Sequence, residues 1–148
     1  MMADYDDLMK AIGIPVQDDR EIGRFFQGLG GCWRHSCTAD FPFQADVELI
    51  FDFNVKTEKL PKSMPQNVAW IQEHLAEIWN TAALAINNIA ETQQIEMHGE
   101  FSVEPIFFKL PIDSVENASW QMLIEPCNLN GSFELTFKGL TVIEQKYE

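Results

Sequence analysis

Residues 63–93 read SMPQNVAWIQEHLAEIWNTAALAINNIAETQ, and the spacing of their apolar members predicts one long amphipathic helix. Val68, Ile71, Leu75, Ile78, Ala82, Ala85, Ile86 and Ile89 recur three and four apart. At about 1.5 Å per residue they draw a single stripe along a rod roughly 45 Å long. Ser63 is placed to cap the helix and Gln66 to complete a capping box, with Pro65 in the first turn, where a missing N–H costs nothing. The other face carries Glu73, Glu77, Asn80, Thr81, Asn87, Asn88 and Glu91. Burying each large apolar side chain is worth about 1.5–3 kcal/mol, so the stripe requires a sheet or a helix pair to cover it.

The segment before the helix reads as strand. Val47, Leu49, Phe51 and Phe53 alternate with Asp46, Glu48, Ile50 and Asp52, the period-2 signature of a half-buried strand over Ala45–Asn54. Cys32–Phe41 precedes it as a second strand, joined at Pro42. Ile22–Gln27 is open to either strand or helix start, and the glycines at 28, 30 and 31 predict a hairpin turn. No Lys-Ser/Thr pair follows those glycines, which argues against a phosphate loop. Gln17–Glu21 reads as a polar connection. Tyr5, Leu8, Met9 and Ile12 share one side of a short helix over Met1–Gly13.

Beyond the long helix, Ile95–Glu104 alternates weakly. Pro105–Asn117 leaves two alternatives, a buried edge strand or an irregular packed segment. Three strands then close the chain: one around Trp120, Met122 and Ile124, one around Phe133, Leu135 and Phe137, and one over Leu140–Tyr147. Asn130-Gly131 and Lys138-Gly139 supply the turns. The expected fold is α+β in a single domain over residues 1–148. Antiparallel β meanders pack on one long amphipathic α-helix, with a short N-terminal helix in addition.

The chain has 148 residues, 10 basic and 23 acidic, for a formal charge of -13. Such a surface repels nucleic-acid phosphates and anionic membranes and attracts cations at long range, although acidity also serves solubility alone. No Lys or Arg occurs between Ser63 and Phe108. Cys32, Cys37 and Cys127 are odd in number, no run approaches a membrane span, and the chain opens without a signal-like segment, so a soluble cytoplasmic protein with reduced thiols is expected.

An aromatic strand with Cys32-Trp33-Arg34 leads to the acidic strand Val47-Glu48-Leu49-Ile50-Phe51-Asp52. A loop and the helix start Pro65-Gln66-Asn67-Val68-Ala69-Trp70 follow, then Trp120-Gln121-Met122-Leu123-Ile124-Glu125-Pro126 and a hairpin closing on Gly139. From Ile22 onward this order resembles a group of uncharacterised bacterial domains, some of which look like immunity proteins of polymorphic-toxin or contact-dependent inhibition systems. The resemblance implies a non-catalytic cytosolic protein that neutralises a cognate toxin by occluding it. Many such toxins are basic nucleases, which the acidity suits.

Catalytic and metal chemistry find less support. Cys32 and Cys37 bracket His35 closely enough to suggest zinc, but on a strand Cys32 points away from His35 and Cys37. Cys127, His74 and His98 would have to converge from elsewhere. A thiol–imidazole pair has no local signature. Glu48 and Asp52, about 13 Å apart along a strand, exceed glycosidase-like spacing. No catalytic residue, metal ligand or cofactor is assigned. The candidate contacts for a cationic protein partner are an acidic strand face (Asp46, Glu48, Asp52) and an acidic helix face (Glu73, Glu77, Asn80). Two further readings stay open: a small enzyme or ligand-binding domain with a cleft between sheet and helix, and a scaffold protein whose homodimer hides part of the sheet.

Overall fold

The computed structural model describes residues 16–28, 30–96 and 101–148. The expected helix at Met1–Gly13 lies outside them. Eight strands form one sheet in sequential order: β1 (Val16–Asp19), β2 (Gly23–Gln27), β3 (Cys32–Phe41), β4 (Gln44–Lys56), β5 (Val103–Leu110), β6 (Ser119–Pro126), β7 (Phe133–Lys138) and β8 (Thr141–Tyr147). Two helices, α1 (Ser63–Glu73) and α2 (Leu75–Gln93), connect β4 to β5.

The expectation of antiparallel meanders on one long α-helix is therefore corrected in two respects. The strands before and after the helices are not separate groups. β4 and β5 pair directly, in parallel, with Leu49 opposite Ile106 and Phe53 opposite Leu110, while every other neighbouring pair is antiparallel. A helical crossover carries the chain from the end of the sheet where β4 finishes back to the end where β4 began, so the strand that follows runs the same way as the one before. The result is a mixed, sheet-dominated fold.

The helix, secondly, is broken at His74 (φ −104°, ψ 16°). The His74 backbone N–H donates to the Trp70 carbonyl at 3.0 Å, and its ring Nδ1 lies 2.8 Å from the same oxygen. The imidazole also stacks on the Trp70 indole at 4.3 Å between centroids. A side chain that shares the i−4 carbonyl with the backbone loosens the ladder there, and the chain turns. The capping box does not form either. Lys62 occupies the N-cap position without a side-chain bond, and Ser63 is already helical.

The apolar stripe itself is in the expected register. Val68, Ile71, Ile78, Ala82, Ala85, Ile86 and Ile89 are buried and join one core with the alternate residues of the strands, among them Phe51, Phe53, Ile106, Phe108, Trp120 and Phe137. Asn67 adds what periodicity does not show. Buried in α1, it donates to the Pro111 and Asp113 carbonyls and accepts the Val115 N–H, fastening the helix to the β5–β6 connection. The three hydrogen bonds offset the cost of taking the amide out of water.

Other departures have local causes. Gln17–Asp19, read as connection, belongs to the short edge strand β1, where charge is favoured because it discourages pairing with other chains. Pro105 sits inside β5 at an irregularity of the β5–β6 ladder, between the Val103 and Ile106 pairs. The Gln44 side chain takes up the Val103 N–H and carbonyl beside it. A proline can thus lie in an interior strand without stranding a partner. The β6–β7 connection runs over residues 127–132, longer than the two-residue Asn130-Gly131 turn expected, whereas Gly139 (φ +57°) makes the tight β7–β8 turn as read.

Candidate functional site

Between β3 and β4 the chain turns through Pro42 and Phe43. This tip meets the first turns of α2. Trp79 of α2 packs against Phe41 (5.4 Å between centroids, edge-on), Phe43 (4.8 Å) and Phe101 (6.0 Å), and Phe43 in turn meets Phe101 edge-on at 5.0 Å. Such offset and edge-on pairs are the favoured geometries of aromatic rings. Phe41 is buried, but Phe43, Trp79 and Phe101 are only half covered, so the cluster reaches the surface.

Among the described residues one carboxylate borders it. Asp40 lines a groove beside Trp79 together with Asn80, and the Asp40 Oδ1 accepts the Asp46 N–H at 2.9 Å. That bond steadies Asp46 in a left-handed conformation (φ 54°) that costs a non-glycine residue. Glu77 stands one turn before Asn80 on the same helix, close enough in spacing to share its face. Of the expected contacts the fold thus brings Asn80 to the groove and ties Asp46 to it through Asp40, while Glu77 does not line it.

The remaining expected contacts fall elsewhere. Glu48 lies on the outer face of the sheet opposite Thr38. Asp52, on that same face, is bound by Arg34 through Nε and Nη2 and has Lys109 as its other cross-strand neighbour. The strand face is therefore not uniformly acidic. Glu73 ends α1, before the break. Sequence reasoning missed Asp40, Phe41, Phe43 and Phe101. The signal was present in Phe41-Pro42-Phe43, because two aromatics at a hairpin tip contradict the polarity expected of a turn.

Two other depressions are larger. A cleft of about 490 Å³ lies between the β1–β2 turn and the start of α1. Its polar groups are largely committed: Asp18 pairs with Arg24, Asp19 accepts the Glu21 and Ile22 N–H groups, and the Gln17 side chain accepts that of Leu60. A hollow of about 500 Å³ is lined by Glu104, Glu125, Cys127 and Glu148. Among the described residues no three His, Cys, Asp or Glu side chains gather as metal ligands. Cys37 accepts from Gln72 at 3.3 Å, and burial pushes its thiol up, away from the thiolate that a nucleophile needs.

His35 is a buried titratable group beneath β2. Its ring lies 4.8 Å from that of Phe25 and 6.1 Å from that of Phe51. Nδ1 is 2.8 Å from the Arg24 carbonyl, which can only accept, so Nδ1 carries the proton, and Nε2 has no partner among the described residues. Burial lowers its pKa, against smaller raising effects of the Arg24 carbonyl and the Asp19 charge. The unfolded chain protonates near pH 6.5 and the folded site resists, so the unfolded state binds more protons in this range. Stability is then complete above about pH 6.5 and falls as pH drops toward the folded pKa, by at most about 1.4 kcal/mol per pH unit. Urea midpoints between pH 7.5 and 5 should show this decline, and His35→Phe should flatten it. An unchanged slope in that variant would assign the decline to other groups.

Comparisons with protein-family models, with curated proteins and with solved structures returned no match.

Proposed function

We propose that this is a non-catalytic acidic binding protein of the immunity type, which captures a basic protein toxin in the cytoplasm and occludes it. The observation that carries the reading is the partly exposed aromatic cluster at Trp79 with Asp40 and Asn80 beside it, on a chain of charge -13. Aromatic anchors inside a charged rim are the usual composition of a protein-binding hot spot. The rim steers a cationic partner and rejects anionic ones, while the rings provide affinity. The toxin as partner comes from the resemblance of the strand and helix order to immunity-type domains. Among the described residues no helix is long and apolar enough to cross a membrane.

Co-purification from the native host, followed by stopped-flow association, tests the reading. The captured partner should be basic, and its association rate should fall steeply as ionic strength rises from ~0.01 M to ~0.15 M, where the screening length shrinks from ~30 Å to ~8 Å. A partner whose rate ignores salt would overturn the electrostatic account.

A further inference from the structure

Trp79 stands as a ridge between two small hollows. On one side Asp40, Phe41, Pro42, Leu75 and Asn80 enclose about 190 Å³. On the other, Ala83, Ile86, Asn87 and Phe101 enclose about 140 Å³. Both fall below the roughly 300 Å³ at which small-molecule pockets begin. At about 30 Å³ of liquid volume per water, each displaces some five or six waters, the room of one side chain. Their chemistry differs. The first has aromatic and proline walls and one carboxylate, whose Oδ2 has no hydrogen-bond partner among the described residues. The second carries no charge and one amide.

We propose that the two hollows read a two-residue signature on a basic protein partner, an arginine against Asp40 and an aliphatic side chain against Phe101, with Trp79 between them. The proposal rests on the binding function proposed above and names the chemistry that this surface selects. A guanidinium matches the first hollow in both respects: its planar face stacks on Phe41 or Trp79, and its N–H groups donate to the carboxylate. Lysine brings the charge without the flat face. Charge also decides against other occupants. A second copy brings a further net charge of -13, and the chain's own residues 1–15 carry Asp4, Asp6 and Asp7 against the single Lys10.

The test uses the full chain, isotopically labelled, and capped octapeptides in a Gly/Ser frame with one Arg and one Leu at spacings of one to five. The readout is the Trp79 indole N–H resonance, assigned by its loss in Trp79→Phe. At least one spacing should give a saturable shift. Asp40→Asn should weaken that binding about tenfold, as should replacing the peptide Arg by citrulline, with Lys intermediate. Ala83→Phe, which fills the second hollow, should abolish the advantage of Leu over Gly while keeping the preference for Arg.

No saturable shift at any spacing, or binding indifferent to both Asp40→Asn and citrulline, would overturn the proposal. So would movement of the Trp79 resonance on Leu8→Ala without peptide, since the groove would then hold the chain's own N-terminal segment. Salt-dependent capture of a basic partner that survives Trp79→Ala and Asp40→Asn would overturn this assignment and leave the binding function standing. Peptide recognition as described, together with a natural partner whose rate ignores salt, would overturn the electrostatic account of capture and leave this assignment standing.

Discussion

Ile78→Asp is expected to leave no cooperatively folded protein at 25 °C. Ile78 is fully buried, and its N–H donates to the His74 carbonyl at 2.9 Å, at the point where α2 restarts after the break. The substitution removes about 1.5–3 kcal/mol of apolar burial and sets an unpaired carboxylate in the core, at a cost of several kcal/mol more. Total stability is on the order of 5–15 kcal/mol, so the sum consumes most or all of it. Glu73→Gln, on the exposed face, should stay within about 0.5 kcal/mol of the parent. Circular dichroism melting distinguishes the two. A cooperative Ile78→Asp transition at the parent's midpoint would mean that the helix presents a different face to the sheet.

The combined reversal Asp40→Lys and Glu77→Lys should slow capture of a basic partner by about ten- to a hundredfold at low salt, with the effect shrinking as salt is added. Two negative charges become positive, one in the groove beside Trp79 and one on the exposed face of α2. Both side chains are exposed, so folding should survive. Asp40 also gives up the bond to Asp46 N–H, which water can replace at an exposed site. Glu48→Lys, on the outer face of the sheet, is the control and should change the rate by less than about threefold. A Glu48→Lys loss half as large on a logarithmic scale, in proportion to its half-as-large charge change, would mean that net charge alone, and not the groove, governs capture. Asp52 is unsuitable as a control, because a lysine there would face both Arg34 and Lys109.

Periodicity carried the fold a long way and failed where one group overrode it. The buried stripe from Val68 to Ile89 and the alternation from Val47 to Phe53 were legible because each element has one wet and one dry face. His74 was not, since a histidine within a helical pattern gives no sign that its ring will compete for the Trp70 carbonyl. Pro105 hid β5 for a similar reason: its neighbours Ile106, Phe107 and Phe108 are apolar enough for a central strand, but tolerance of the proline depended on Gln44, far away in sequence. β1 was too polar and too short to announce itself.

At the site, the sequence exposed the acidic residues but not their company. Glu77 and Asn80 were legible as an exposed helix face. That Asp40 and the aromatic hairpin tip lie against that helix depends on how the crossover seats α2 on the sheet. Asp52 was misleading, because the arginine that binds it comes from β3.

The parallel pairing of β4 with β5 also sets the order in which the chain can assemble. Every other ladder joins strands that follow directly in sequence, and each can zip up from its own turn as soon as it is synthesised. The contact of Leu49 with Ile106 must instead wait until both helices have crossed the forming sheet. Closing so long a loop spends chain entropy before any contact is gained, so topology makes this ladder the slow one. Until it closes, the hairpin half and the meander half each present a raw edge, β4 on one side and β5 on the other. Those two edges, rich in Val, Ile and Phe, are where newly made chains are most open to joining one another instead of themselves.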